Sequence, residues 1–219
     1  MARGGAKANL ARMSDALTHT LRDHARGAVR AEVLRRAWDL FAEQGFEATT
    51  IDQVAEAAGM SRRTFFRYFD GKDALVLTSL VEAGERVAAA LAGRPPDEPA
   101  WTALRTAFEE SVRVTETDER RSRSLHLMLG TEPALAATLQ VRRRRWLELL
   151  APLVALRIEA DPGDPGDLGA TAVASSALAC LEVAQARWAE HEGARLGDLL
   201  DLGMNAVSPL RPTEDGSAG

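Results

Sequence analysis

Residues 49–72 read TTIDQVAEAAGMSRRTFFRYFDGK, a pattern of two short helices joined by a tight turn. Thr50 stands where an N-cap belongs and Gln53 follows three residues later. At that capping-box spacing the two side chains satisfy backbone N–H groups that a helix start leaves orphaned. Ile51, Val54, Ala55 and Ala58 fall at i, i+3, i+4 and i+7, so one apolar stripe faces inward, and Gly59 supplies the permissive backbone of a helix exit. Gly59-Met60 is the turn, and Ser61 caps a second helix expected to run to Tyr68. Phe65 and Phe69, four apart, point to the core, while Arg62, Arg63 and Phe66 project elsewhere. Two adjacent arginines opening a short exposed helix suit guanine edges or phosphates.

Working outward, a helix is expected over Val29–Gln44, with Val33, Ala37, Leu40 and Phe41 buried, Trp38 flanking and Gly45 as its stop; its task is to brace the pair that follows. Residues 1–26 are rich in Ala, Gly and Arg and read as a flexible basic arm, able to follow a DNA backbone or enter a minor groove. Downstream, Asp70-Gly71 is a turn and Lys72 begins a long helix to about Ala92, ended by the Pro-rich run 93–99. The remainder reads as helices over Pro99–Thr117, Ser122–Leu129 (stopped by Gly130), Thr131 to about Glu159, Leu168–Glu192 and Leu196–Val207. In the long helix capped by Thr131, Pro152 should cause a kink or a break. The run 161–167 is a loop and the polar end a loose tail. No segment alternates as a strand would, so the fold is all-α with about nine helices.

Here the residues reach a resemblance. The run A-x-x-A-G-M-S-R-R-T-F-F-R-Y-F-D-G-K-D-A-L, with its turn glycine, aromatic second helix and F-x-x-K in register between Arg30 and Leu80, resembles the DNA-binding domain of the TetR family of bacterial transcriptional regulators. The resemblance implies residues 1–26 as arm, 27–72 as helix-turn-helix domain, 73–210 as ligand-binding and dimerisation domain and 211–219 as disordered tail. It implies that Arg62 and Arg63 read base edges. Thr64 and Phe66 meet a phosphate or a thymine methyl, Thr50, Tyr68 and Lys72 fix the register on the backbone, and Ser61 is counted in the same DNA-binding set. Phe66 departs from the tyrosine common in relatives and so forgoes a phosphate hydrogen bond.

Composition is ordinary for a soluble globular protein, and its abundance of Ala and Leu favours helix. Among 219 residues 46% are hydrophobic, 27% charged and 5% aromatic, with a net charge of −5. Residues 1–72 carry twelve Lys and Arg against nine Asp and Glu, so the acidity lies in the rest of the chain. One cysteine, Cys180, permits no internal disulfide, and it reads as a buried structural thiol. No apolar run approaches the roughly 20 residues that cross a bilayer, so a cytoplasmic protein without a membrane partner is expected. His19, His24, His126 and His191 are scattered without metal-ligand spacing, and neither a phosphate loop nor a nucleophile elbow occurs; catalysis, a metal and a cofactor are not expected.

For the second domain, Trp101, Phe108, His126, Met128, Trp146 and Trp188 are the side chains that could line an effector cavity, or simply fill the core. Arg142–Arg145 spans more than a helical turn and cannot all face one way; it is either a solvated face or a rim for an anion. The stretches E-R-R-S-R-S-L-H-L-M-L and R-R-R-W are similar to the C-terminal domains of the mycofactocin-regulator subgroup, which implies an acyl-CoA-like effector. Ala170, Ala172, Ala174, Ser175, Ser176, Ala177, Ala179 and Cys180, with Leu199, Leu200, Leu202 and Met204, resemble the family's homodimer interface through the last two helices. A twofold dimer sets its recognition helices about 34 Å apart on a palindromic double-stranded operator. The expected function is a dimeric repressor released by a small effector; a ligand-independent activator and an architectural DNA-binding protein are the alternatives.

Overall fold

The computed structural model describes residues 25–158 and 168–208, so the expectations for the arm before residue 25, the 161–167 loop and the tail lie outside the described residues. The chain divides into two compact units, Met1–Lys72 and Asp73–Gly219. Every regular element among the described residues is helical.

In the first unit, α1 covers 25–44, earlier in its start than the expected Val29. It buries Val33, Leu34, Ala37 and Phe41; Leu34 takes the place expected of Leu40, which is only half-buried. The following glycine, Gly45, has φ of +84°, the left-handed geometry that ends the helix, and Thr49 Oγ1 donates back to its carbonyl at 2.7 Å. Helix α2, Ile51–Ala57, carries the full capping box between Thr50 and Gln53. Helix α3 is shorter than expected: regular geometry covers Arg62–Phe65, and the chain then turns, with Tyr68 and Phe69 N–H both bonded to the Phe65 carbonyl. Phe65 and Phe69, at 0% and 3% exposure, anchor that turn with ring centroids 5.6 Å apart.

The second unit begins within α4, Lys72–Ala92, and is organised around α9, Leu168–Glu190. The expected helix over 99–117 is divided at Phe108 into α5, Ala100–Ala107, and α6, Glu109–Thr117. The next expectation also moves. Helix α7 runs Glu119–Thr131, capped by Asp118, whose side chain accepts from Arg121 N; Gly130 lies inside it, because a glycine permits a helix end without imposing one. Thr131 therefore closes α7 instead of capping the following helix. Glu132 caps a 3₁₀ turn, Pro133–Leu135, that leads into α8, Ala136–Ala155. Pro152 leaves α8 continuous, being three residues from its end.

Helix α9 corrects the reading of apolar runs: by length and mean hydropathy, 1.3, it is apolar enough to cross a membrane. In this fold it is a core helix. Ala170, Ala174, Ala177, Leu181, Ala184 and Trp188 are buried along it, packed among α5, α7, α8 and α10, Leu196–Val207. The small-residue stripe thus serves its own subunit in large part, since Ala170, Ala174, Ala177 and Cys180 are interior, as are Leu200 and Met204. What remains outward is Ala172, Val183, Leu202 and Val207, the last three at 60%, 69% and 59% exposure.

A close approach fixes α8 on α4. Trp146 Nε1 donates to the Leu80 carbonyl at 2.8 Å, and the indole occupies the space a Cβ at Gly84 would take, 2.6 Å from Nε1. Glycine is required there by packing.

Candidate nucleic-acid interface and effector core

The first unit raises one surface of suitable chemistry. Burial of Val54, Ala55, Phe65 and Phe69 orients α2 and α3, leaving Ser61, Arg62, Arg63 and Phe66 exposed and Thr64 and Tyr68 half-buried. Ser61 Oγ accepts from Thr64 N at 3.2 Å, so its hydroxyl is committed to the cap and lies 3.0 Å from Thr64 Oγ1. The Arg62 guanidinium sits 5.6 Å from the Phe66 ring centroid and pairs with Asp52. Thr50 is exposed but its hydroxyl is held by Gln53, accepting from Gln53 N at 3.2 Å and lying 3.1 Å from Oε1.

Lys72 has a task that sequence reasoning missed. Its Nζ donates to the Phe46 carbonyl at 2.7 Å and lies 4.4 Å from the Phe46 ring centroid, pinning the start of α4 to the turn between α1 and α2. An ammonium has three donors, so a phosphate contact is left only what these partners do not take. Arg26 Cζ lies 5.7 Å from the Tyr68 ring centroid, a contact between α1 and the end of the recognition turn.

In the second unit five of the six expected pocket residues gather in or against one core cluster. Phe108, Trp146 and Trp188 are core, at 0%, 2% and 1% exposure, and Trp101 packs half-buried against them with its indole N–H unpartnered among the described residues. His126 meets Trp188 edge to face at 5.7 Å and its Nδ1 bonds the Ser122 carbonyl at 2.8 Å, which fixes that nitrogen as donor. Met128 is half-buried on the same helix.

The residue that joins this region is Arg142. It is 8% exposed, lies 4.5 Å over the Trp146 ring and donates through Nη1 to Glu182 Oε1 at 3.1 Å, while its Nε–H is buried without a partner among the described residues. Arg143 also bonds Glu182, so two guanidiniums share one carboxylate and the cluster keeps a positive excess. Burial holds the Arg142 pKa below its ordinary value, and burial together with the Arg142 charge holds His126 below the usual imidazole range. The four-arginine run is thereby sorted by helix phase: Arg142 inward, Arg143 half-buried, Arg144 and Arg145 exposed, Arg145 pairing with Glu148 at 2.8 Å.

A helix-turn-helix followed by an all-helical second unit defines a class, and sequence comparison agrees. Residues 33–78 match the bacterial regulatory proteins of the tetR family, and residues 98–212 match the MftR C-terminal domain. The chain belongs to the TetR family and is a DNA-binding transcriptional regulator. It is 30% identical over 178 residues to the mycofactocin biosynthesis transcriptional regulator MftR of Mycobacterium tuberculosis, covering 78% of this chain and 85% of that one. It is 34% identical over 141 residues to the HTH-type transcriptional regulator TcmR of Streptomyces glaucescens, spanning 62% of that protein's length. Among solved structures, Thermus thermophilus FadR, a TetR family repressor in complex with lauroyl-CoA, is 25% identical, with a TM-score of 0.53 over 87% of this chain and 99% of that one. A TetR-family regulator from Syntrophomonas wolfei reaches 0.65 at 16% identity, covering 82% and 93%.

Proposed function

We propose that this regulator is a homodimeric repressor that reads a palindromic operator through Ser61, Arg62, Arg63, Thr64 and Phe66, steadied by Thr50, Tyr68 and Lys72. It works in the cytoplasm and leaves the DNA when an acyl-CoA-like effector enters the second unit. The observation that carries the DNA half is the pair Arg62 and Arg63, both exposed at the start of a helix whose other face is locked by Phe65 and Phe69. Arginine is the residue best matched to guanine O6 and N7, and a rigid anchor keeps its placement reproducible. The exposed apolar side chains Val183, Leu202 and Val207 favour a second copy of the chain on α9 and α10.

The effector half rests on two supports: the lauroyl-CoA bound by the FadR relative, and the cluster of buried Arg142 with half-buried Glu182 and Arg143, whose positive excess beside apolar core suits a ligand with an anionic part and a hydrocarbon part. By linkage the effector weakens DNA binding only as far as it prefers the dimer form that does not fit the operator.

The test is fluorescence anisotropy at fixed salt with excess competitor, using DNA upstream of the protein's own gene and an operator selected from random duplexes. Wild type is expected to bind tightly, Arg62→Ala to lose roughly 1–3 kcal/mol, and long-chain acyl-CoA, not free CoA, to release the DNA. Equal binding by the two proteins refutes the base-reading role; release by neither thioester nor free acid refutes the effector class.

A further inference from the structure

We infer that Asp52 is a positioning residue for base recognition: its carboxylate, on α2, holds the Arg62 guanidinium of α3 so that the Nε–Nη2 edge is offered to a guanine as a two-donor fork. The inference rests on α3 being the base-reading helix. Arg62 Nη1 donates to Asp52 Oδ2 at 3.0 Å across ten residues of sequence, and the Phe66 ring lies beside the same guanidinium. One bond at Nη1 uses one end of the guanidinium and leaves the parallel Nε–H and Nη2–H pair, the spacing that meets O6 and N7 together.

The pair is placed for recognition, not for stability. The two side chains are 60% and 64% exposed, and at such exposure an ion pair adds little to folding. The two helices are already joined beneath it by the buried Val54, Ala55 and Phe65. An unheld arginine on a four-residue helix samples many rotamers and loses them on binding; Asp52 and Phe66 remove that freedom beforehand. Arg63, the next residue, has no carboxylate partner among the described residues and so lacks the restraint that Asp52 gives Arg62.

A second consequence has the opposite sign. Asp52 places a negative charge beside the surface that meets phosphates, which opposes every DNA sequence alike. Removing the charge should therefore weaken base preference while strengthening binding to random DNA. A variant damaged in its fold weakens both.

The experiment uses the full chain as wild type, Asp52→Asn, Asp52→Ser, Arg62→Ala and Asp52→Asn/Arg62→Ala. Both replacements at 52 are polar residues that tolerate a first helical turn. Anisotropy at fixed salt gives Kd for the selected operator, for each single-base variant of a half-site and for random duplex. Wild type should prefer one guanine roughly 5- to 150-fold over other bases. Both Asp52 variants should lose about 2- to 5-fold of that preference at that base pair alone and bind random duplex at least as tightly as wild type. In the Arg62→Ala background the change at 52 should leave base preference unaltered. Full retention of the preference, an even loss across all base pairs, or an effect that persists without Arg62 overturns the positioning role. If wild type itself selects no sequence, the base-reading assignment of α3 falls first and this inference with it.

Discussion

Replacing Gly84 by alanine should destabilise the second unit, although in a solvent-facing helix the same change adds stability. The new Cβ would stand 2.6 Å from Trp146 Nε1, 2.7 Å from Cδ1 and 2.9 Å from Cε2, against ordinary contacts near 3.5–4 Å. The indole must retreat by roughly 1 Å, and at 2% exposure it has nowhere open to go. Retreat also breaks its 2.8 Å bond to the Leu80 carbonyl and disturbs the Arg142 stacking at 4.5 Å. Overpacking costs about 1–3 kcal/mol and an orphaned indole N–H about 1–3, offset by about 1 from helix propensity, so the net loss is about 1–5 kcal/mol. Urea unfolding followed by far-UV circular dichroism reads this as a lower midpoint at unchanged slope. A cycle with Trp146→Ala isolates the cause, because truncation at Cβ removes the indole atoms that the new methyl strikes. Gly84→Ala should then cost markedly less than in the wild type. A raised midpoint for Gly84→Ala, or an equal cost in both backgrounds, refutes the account.

His126, held neutral by burial and by the Arg142 charge, should make stability pH-dependent: the unfolded state takes up a proton near pH 6.5 where the native state does not, so stability falls as pH drops below that value. His126→Gln should flatten the dependence between pH 7 and 5 in urea midpoints; an unchanged slope places the titrating group elsewhere. Leu202, 69% exposed on α10, should be a dimer contact, and Leu202→Arg should turn a dimer into a monomer in sedimentation velocity without lowering far-UV helicity. A wild-type monomer, or a variant that stays dimeric, removes α10 from the interface.

The DNA-facing unit was legible because its signals are local. Thr50 with Gln53, Ser61 with Thr64, and Gly59 at φ of +67° act over three or four residues, so the sequence window that forms each cap also displays it. The end of α3 was less legible, since Phe65 and Phe69 make an aromatic helical spacing that the backbone follows only as a turn. In the second unit the misplaced boundaries share one cause. Gly130 and Thr131 each allow a boundary, but Asp118 captures the start of α7 and Glu132 the start of the next turn, and competition between adjacent caps is settled by packing.

The residues least visible in advance are the interior arginines, because what makes them interior is a partner far along the chain. Arg142 finds Glu182 forty residues on, and Arg123 reaches the carbonyls of Trp188, His191 and Ala194 at the end of α9. Arg105 bonds Asp201 of α10, and Arg157 donates to the carbonyls of Leu91 and Arg94 past the end of α4. Read along the chain, Arg123 and Arg142 belong to charged runs and look solvated, while Arg105 and Arg157 stand alone among largely apolar residues with their distant partners out of view. One signal was available for Arg142, which lies four residues before Trp146 and so on the same helix face. These arginines use two kinds of partner, and the difference bears on function. Arg123 and Arg157 close helix ends, where a cation meets carbonyls that would otherwise be orphaned, and their service is to the fold. Arg142 instead shares Glu182 with Arg143 and lies over the Trp146 ring, its Nε–H, like that of Arg157, unpartnered among the described residues; folding alone gives little reason to keep such a pair, since buried ion pairs seldom repay their desolvation.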